Sequence, residues 1–147
     1  MSLKFNQGIF KLKNPQKYVG LKDPTYRSGW ELTFMNFCDT TESVTKWSSE
    51  PFRIPYTCPL TGKNTVYVPD FLITYLDRNN KEQVELVEIK PANQTFIEHV
   101  GKSKYNQAQF VKNQAKWQAA KAWCSSRGIK FRILSESDIY HNPAKKR

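Results

Sequence analysis

Acidic residues and a lysine stand at the two ends of one strand–turn–strand pattern in the middle of the chain. Asp70 lies near the start of the apolar, β-branched run 66–76, and Glu88 and Lys90 close the returning run. Turn-forming residues at 77–81 join the two runs, so the pattern predicts an antiparallel hairpin that folds these ends together. Two carboxylates and a lysine at one end of a sheet are what a metal-dependent phosphodiesterase needs.

The period of two in the second run places Glu88 and Lys90 on one face, opposite Val87 and Ile89. Alternating charges of this kind are usually the solvated face of a strand, and Lys90 could simply pair with Glu88. The proline that precedes Asp70 and the apolar residues around each acid favour a chemical role instead.

A third carboxylate, Glu31, falls within a predicted helix upstream of the hairpin. Asp23 followed by proline resembles a helix start, which predicts a helix over 25–39. Its core-facing residues would be Trp30, Phe34, Phe37 and Cys38. Glu31 would then lie at the edge of a buried face, where a carboxylate needs a partner such as a metal ion. The alternative is that Glu31 closes a capping box with Ser28.

Composition bounds the class of protein. The 147 residues are enough for one domain, and a hydrophobic content of 39% is that of a folded protein. The net charge of +10 favours a polyanionic partner, most simply nucleic acid, although membranes and acidic proteins attract it too. We expect neither a signal peptide nor a membrane span. Three widely spaced cysteines and two histidines argue against a disulfide framework, a zinc site and histidine-based catalysis.

The rest of the chain divides into a basic arm over 1–22, one domain over 23–140 and a basic tail over 141–147. A strand over 44–56 is interrupted near Glu50 and Pro51, which predicts an edge position or a bulge. For Glu50 we favour a structural role over an approach to the acidic cluster. Residues 92–103 are polar and predict a loop.

A helix of about six turns is predicted over 104–127, closed by Gly128 and followed by a last strand over 129–134. Its predicted core-facing stripe consists of Ala108, Val111, Ala115, Ala119, Ala122 and Trp123. A second line along one flank consists of Gln109, Asn113 and Lys116. That flank is either a solvated face or a set of candidate substrate contacts that hold phosphate or water.

This order of elements resembles the PD-(D/E)XK nuclease fold, an α/β fold whose mixed sheet is flanked by helices. Within that superfamily the chain is similar to the TnsA-type transposition endonucleases over roughly residues 23–138. The shared motifs include Arg27-Ser28-x-x-Glu31, Ser49-Glu50-Pro51, Tyr67-x-Pro69-Asp70-Phe71 and Glu88-Ile89-Lys90. The helix run 109–117, the size and the flanks are most similar to the head-completion nucleases of contractile-tailed phages. One departure is that TnsA-type enzymes can carry glutamine at the position of Glu88.

The resemblance implies a deoxyribonuclease whose catalytic residues are Glu31, Asp70, Glu88 and Lys90. It implies one or two Mg²⁺ or Mn²⁺ ions held by the three carboxylates and the backbone carbonyl of Ile89. The lysine would orient the nucleophile and stabilise the transition state. The expected substrate is DNA, cut with little sequence specificity at the phage portal before tail joining. The expected locations are the host cytoplasm and the virion.

Two alternatives stay open. One is the DNA-cleaving subunit of a transposition machine, which would need a transposase partner and a further C-terminal domain. We expect no such domain, because few residues follow the last predicted strand. The other is a non-catalytic DNA-binding plug in the virion, against which the complete four-residue set argues. Contacts with portal or neck proteins and assembly into a homo-oligomer are left open.

Overall fold

The computed structural model describes residues 7–91, 101, 103–135 and 138. In chain order the elements are β1 (Gly8–Ile9), a 3-10 turn (Pro15–Lys17), β2 (Thr25–Tyr26), α1 (Gly29–Thr40), β3 (Val44–Ser49), β4 (Ile54–Thr57), β5 (Asn64–Tyr67), β6 (Phe71–Leu76), β7 (Glu82–Ile89), α2 (Lys104–Ser125) and β8 (Lys130–Leu134). The central sheet has the order β3-β6-β7-β8, and the pairs β1-β2 and β4-β5 form separate ribbons.

The central sheet is mixed, as predicted. Strand β6 pairs antiparallel with β3 and β7, whereas β8 pairs parallel with β7. A parallel neighbour requires a crossover connection, and α2 lies in that connection. The predicted hairpin is confirmed, with Phe71 opposite Val87 at one end and Leu76 opposite Glu82 at the other.

Hydrophobic side chains pack on both faces of this sheet. The α1-side core contains Phe34, Met35 and Cys38 of α1 together with Trp47, Phe71, Val87 and Ile89 of the sheet. The α2-side core contains Ile54, Tyr67, Leu86, Trp117, Ala120 and Cys124. Because side chains alternate along a strand, Glu88 shares the α2 side with Leu86. The predicted opposition of Glu88 to Val87 and Ile89 is therefore confirmed.

The run 66–76 is two strands rather than the single strand predicted. Strand β5 ends at Tyr67 and pairs with β4, and β6 begins only at Phe71. Pro69 lacks a backbone N–H and cannot continue a ladder, so the chain changes sheets around it. Asp70 consequently lies at the junction, immediately before the first residue of β6.

Helix α1 begins four residues later than predicted. Its N-cap is Ser28, whose hydroxyl accepts a hydrogen bond from the backbone N–H of Glu31 at 3.1 Å. The predicted start at 25 is wrong because Thr25 and Tyr26 pair with β1 instead. That pairing joins residues 16 and 18 positions apart, and no local helix signal reveals it.

The predicted length of α2 is nearly right, and Gly128 adopts a φ of +69° just after it. The predicted core-facing stripe is only partly right: Ala119 and Trp123 pack against the α2-side core, but Val111 is 41% exposed. The buried residues of the helix are Asn113, Trp117, Ala120 and Cys124. The helix packs mainly on β4 and β8. Trp117 is the bulkiest buried side chain of the helix, and it sets which face turns inward.

The described part of the basic arm packs on the domain. Phe10 is buried in the α1-side core. The carboxylate of Asp39, at the end of α1, accepts hydrogen bonds from the backbone N–H groups of Lys13 and Asn14. Residues 1–6, 92–100, 102, 136–137 and 139–147 lie outside the described residues, and so do the loop predicted over 92–103, in large part, and the other predictions made for them.

Cys38, Cys58 and Cys124 are free thiols, as predicted. Within the described ranges, no helix is both long and apolar enough to span a bilayer.

Candidate active site

Asp70 and Glu88 meet at the end of the β6–β7 hairpin. Because Phe71 is opposite Val87, the residues just beyond them in the register are Asp70 and Glu88. The Oδ2 atom of Asp70 accepts a hydrogen bond of 2.7 Å from the backbone N–H of Ile89. This bond ties the start of β6 to the end of β7 and fixes the aspartate beside the glutamate.

Glu88 is 4% exposed, and described neighbours contact both of its carboxylate oxygens. Its Oε1 atom accepts a hydrogen bond of 2.6 Å from the Tyr67 hydroxyl. Its Oε2 atom lies 3.5 Å from Nζ of Lys90. The sequence thus brings Asp70, Glu88 and Lys90 together as the hairpin predicted, and the pairing of Lys90 with Glu88 is present in this structure.

The electrostatics of the two carboxylates disfavour their ionisation. Burial raises the pKa of Asp70 well above its usual range, and the nearby charge of Glu88 raises it further. Burial also raises the pKa of Glu88, although the charge of Lys90 and the hydrogen bond from Tyr67 oppose this. A buried carboxylate and a half-buried one that disfavour each other's ionisation would be stabilised by a shared proton or by a bound cation.

Lys116 of α2 also reaches this cluster. Its Nζ lies 5.7 Å from the centre of the Tyr67 ring, and its charge opposes the rise in the pKa of Glu88. Burial lowers the pKa of Lys116, and the nearby charge of Lys90 lowers it further. Two lysines therefore face the two carboxylates, one from β7 and one from α2.

Glu31 lies near the cluster but binds the start of its own helix. Its Oε1 atom accepts a hydrogen bond of 2.9 Å from the backbone N–H of Arg27. Burial raises the pKa of Glu31, and the charge of Glu31 in turn raises the pKa of Asp70. In the part of the chain that is described, no three acidic, histidine or cysteine side chains converge closely enough to form a metal cage.

The other two flank residues of α2 differ in burial. Asn113 is completely buried, and neither its amide nitrogen nor its amide oxygen has a hydrogen-bond partner among the described residues. The solvated-face interpretation is therefore wrong for Asn113. Gln109 is partly buried.

The sequence alone assigns no role to Tyr67 or Arg27, which lie around the cluster, and only a structural role to Glu50. Tyr67 holds Glu88, and the Arg27 guanidinium forms an ion pair with the Glu50 carboxylate. Glu50 has a φ of +49°, and its backbone N–H donates to the carbonyl of Asp70 at 2.8 Å. In the sequence, Tyr67 lies two residues before the Pro69–Asp70 pair, and Arg27 and Glu50 each lie in a motif shared with the TnsA-type endonucleases. These positions are the sequence features that could have pointed to a role at the site.

A groove of about 770 Å³ opens beside Glu50. Its lining includes the apolar residues Leu21, Phe52 and Val68 and the cations Lys22 and Arg53. Because Leu72 and Glu88 share the α2 side of the sheet, the groove and the acidic cluster lie on the same side.

Comparison with known proteins decides the family. Residues 41–136 match the model of the TnsA-like endonuclease N-terminal domain, which is more than half of the chain. The chain belongs to the TnsA-like endonuclease family. It is also 34% identical over 139 residues to the head completion nuclease of Enterobacteria phage T4, covering 86% of this chain and 89% of that protein. The resemblance and the α/β fold expected from the sequence are confirmed.

Membership of the TnsA-like endonuclease family supports nuclease activity directly. The matched segment contains Asp70, Glu88 and Lys90, whereas Glu31 precedes its first residue. The match to the phage T4 relative extends over a longer stretch of the chain.

Proposed function

We propose that this TnsA-like endonuclease is a metal-dependent DNA nuclease of the PD-(D/E)XK type that acts in phage head completion. Its catalytic residues are Glu31, Asp70, Glu88 and Lys90. The observation that carries the proposal is the pairing of half-buried Asp70, just before β6, with buried Glu88, near the end of β7, and with Lys90 beside them. The head-completion role is supported by the relative from phage T4, which bears that name.

The donor set of the cluster fits a hard divalent cation. Mg²⁺ is usually held by one or two protein carboxylates together with water and substrate phosphate, so it needs no closed protein cage. The Oδ1 atom of Asp70 has no hydrogen bond within the described residues, and Oε2 of Glu88 contacts only Lys90 there. We assign these two carboxylates and the carbonyl of Ile89 as the main ligands. Glu31, which here accepts from the backbone N–H of Arg27, would have to turn towards them to complete the set. A bound Mg²⁺ or Mn²⁺ would polarise the scissile phosphate and acidify a water molecule.

The protein's own side chains supply positioning and charge. The Tyr67 hydroxyl holds the Glu88 carboxylate, and the backbone N–H of Ile89 holds the Asp70 carboxylate. Because both groups are already ordered, less conformational entropy is lost when they bind the metal ion and substrate. Lys90 is partly exposed and can turn from Glu88 towards a phosphate, where its charge stabilises the transition state. We assign Lys116 as a contact to an adjacent phosphate, and Gln109 and Asn113 as substrate-binding or supporting residues of the same flank of α2, with Asn113 acting from a buried position.

The substrate is DNA bound through its phosphates. The net charge of +10 provides sequence-independent attraction that weakens with salt. Lys22 and Arg53 line the groove that opens beside Glu50, and we assign that groove as the path of the strand that enters the site. We further propose that the enzyme meets packaged DNA at the portal, contacting portal or neck proteins, in the host cytoplasm and the virion.

The test is a cleavage assay on supercoiled, linear, single-stranded and branched DNA with Mg²⁺, Mn²⁺ or EDTA. We expect cutting that requires the metal and falls at least about 100-fold in Asp70→Asn and Glu88→Gln, with DNA binding retained. Asp77→Asn, a carboxylate in the β6–β7 turn, is the matched control and should cut normally. Cutting in EDTA would refute metal dependence. Binding without cutting on every substrate would favour the virion plug.

The head-completion role has its own test. DNA-filled heads that lack this protein are incubated with the wild type or with Asp70→Asn, and tail joining is measured. We expect only the wild type to restore infectious particles. Restoration by Asp70→Asn would show that head completion does not need cleavage.

A further inference from the structure

A continuous chain of contacts joins Glu31 on α1 to Asp70 at the start of β6. The Glu31 carboxylate accepts from the backbone N–H of Arg27 at 2.9 Å, and the Arg27 guanidinium pairs with the Glu50 carboxylate. The backbone N–H of Glu50 then donates to the Asp70 carbonyl at 2.8 Å. Two ionised side chains thus bridge the start of α1 and the end of β3 at the edge of the candidate site.

The Arg27–Glu50 ion pair is expected to contribute little to the stability of the fold. The side chains of Arg27 and Glu50 are 57% and 35% exposed, and exposed ion pairs contribute little to folding. Glu50 nevertheless holds a φ of +49°, a region that non-glycine residues rarely occupy. Such backbone conformations persist where surrounding contacts fix them, and they cluster at functional sites.

We propose that the Arg27–Glu50 ion pair is a positioning clamp that sets Glu31 relative to Asp70. The inference rests on the proposed function, since it assigns a role to residues around the same site. Neither clamp residue touches the reacting atoms. The clamp acts because Arg27 carries, on its backbone, the donor that orients the Glu31 carboxylate, while Glu50 is bonded through its backbone to Asp70.

A purely electrostatic role makes a different prediction from a positional one. The charge of Arg27 lowers the pKa of Glu31, whereas the charge of Glu50 raises it. If charge alone mattered, neutralising Arg27 and neutralising Glu50 would shift activity and its pH profile in opposite directions. If position matters, both neutralised variants lose activity, and exchanging the two charges restores part of it.

The experiment measures kcat, KM for DNA and Mn²⁺ affinity for Arg27→Gln, Glu50→Gln, Arg27→Lys and the exchanged double variant Arg27→Glu/Glu50→Arg. We expect each glutamine variant to lose roughly 10- to 100-fold in kcat, the scale of a small misplacement of a catalytic group. Mn²⁺ affinity should fall several-fold, and the melting temperature should change little. Arg27→Lys and the double variant should recover part of the loss, making the two effects non-additive.

The matched control is the ion pair between β7 and β8, in which Nη2 of Arg132 lies 2.7 Å from Oε1 of Glu85. Arg132→Gln should lower stability without changing kcat. Normal kcat and Mn²⁺ affinity in both clamp variants, with Asp70→Asn inactive, would overturn the clamp while keeping the proposed function. A rise in KM alone for Arg27→Gln would make Arg27 a DNA contact and overturn the clamp too. Retained cutting in Asp70→Asn would instead reject the proposed function.

Discussion

Replacing Asp70 by asparagine should stabilise the metal-free protein near neutral pH while abolishing its chemistry. Burial raises the pKa of Asp70, and the charge of Glu88 raises it further. Asparagine keeps an oxygen that can accept the hydrogen bond from the N–H of Ile89 and removes the charge. A residue selected for catalysis at the expense of stability is expected to behave in this way.

The sign and the size of this change in stability follow from the linkage between folding and proton binding at residue 70. A carboxyl group whose pKa is raised by folding stabilises the folded state fully below its unfolded pKa of about 3.9. That contribution is lost as the pH rises through the folded pKa. A pKa difference of one corresponds to about 1.4 kcal/mol. In a domain of this size each kcal/mol changes the melting temperature by roughly 2–4 °C, so Asp70→Asn should melt several degrees above the wild type.

The assay is thermal unfolding from pH 4 to pH 8 in EDTA and again in Mg²⁺. The difference between Asp70→Asn and the wild type should vanish near pH 4. Saturating Mg²⁺ should reduce this difference in melting temperature at pH 7.5, because binding of the ion stabilises the wild type more than the variant. Asp70→Asn melting below the wild type at pH 7.5, or a difference independent of pH, would refute the reasoning.

Asp77 provides the control of opposite sign. Its carboxylate accepts hydrogen bonds from the backbone N–H groups of Lys81 and Asn79, and the bond from Lys81 is the main cause of its lowered pKa. A lowered pKa gives stability above the unfolded pKa that is lost as the pH falls through the folded one. Asp77→Asn should therefore destabilise the protein at neutral pH and have little effect at acidic pH.

Three further substitutions test the packing around the site by urea unfolding. Tyr67→Phe removes the hydrogen bond to buried Glu88 and should cost about 1–3 kcal/mol, so unchanged stability would show that this bond is not maintained. Asn113→Leu removes a buried amide without a partner among the described residues and should gain about 1–3 kcal/mol, so a loss would reveal partners. Gly128→Ala places a Cβ at a φ of +69° and should cost roughly 1–2 kcal/mol; no cost would mean that the turn relaxes.

The central sheet and the meeting of Asp70 with Glu88 could be predicted because local signals agreed. The turn formers at 77–81 and the two flanking runs specify one hairpin, and its antiparallel register brings its two open ends together. A long helix between β7 and a further strand then requires a parallel crossover. Each of these steps uses residues close in sequence.

The sequence-based predictions were wrong or incomplete where contacts between segments far apart in the chain determine the local structure. Helix α1 begins at Gly29 because β1, far upstream, pairs with Thr25 and Tyr26. The buried face of α2 follows from packing on β4 and β8, which favours Trp117 over the small residues of the predicted stripe. The Arg27–Glu50 pair joins residues 23 positions apart, and no spacing rule predicts it.

The central claim is that Asp70 and Glu88 carry metal-dependent DNA cleavage. The most direct test is single-turnover cleavage by the wild type, Asp70→Asn, Glu88→Gln and the control Asp77→Asn, in Mg²⁺ and in EDTA, with DNA affinity measured in parallel. We predict that the wild type and Asp77→Asn cut only with the metal, while the two site variants bind DNA normally and do not cut. Cutting by either site variant at the wild-type rate would contradict this assignment.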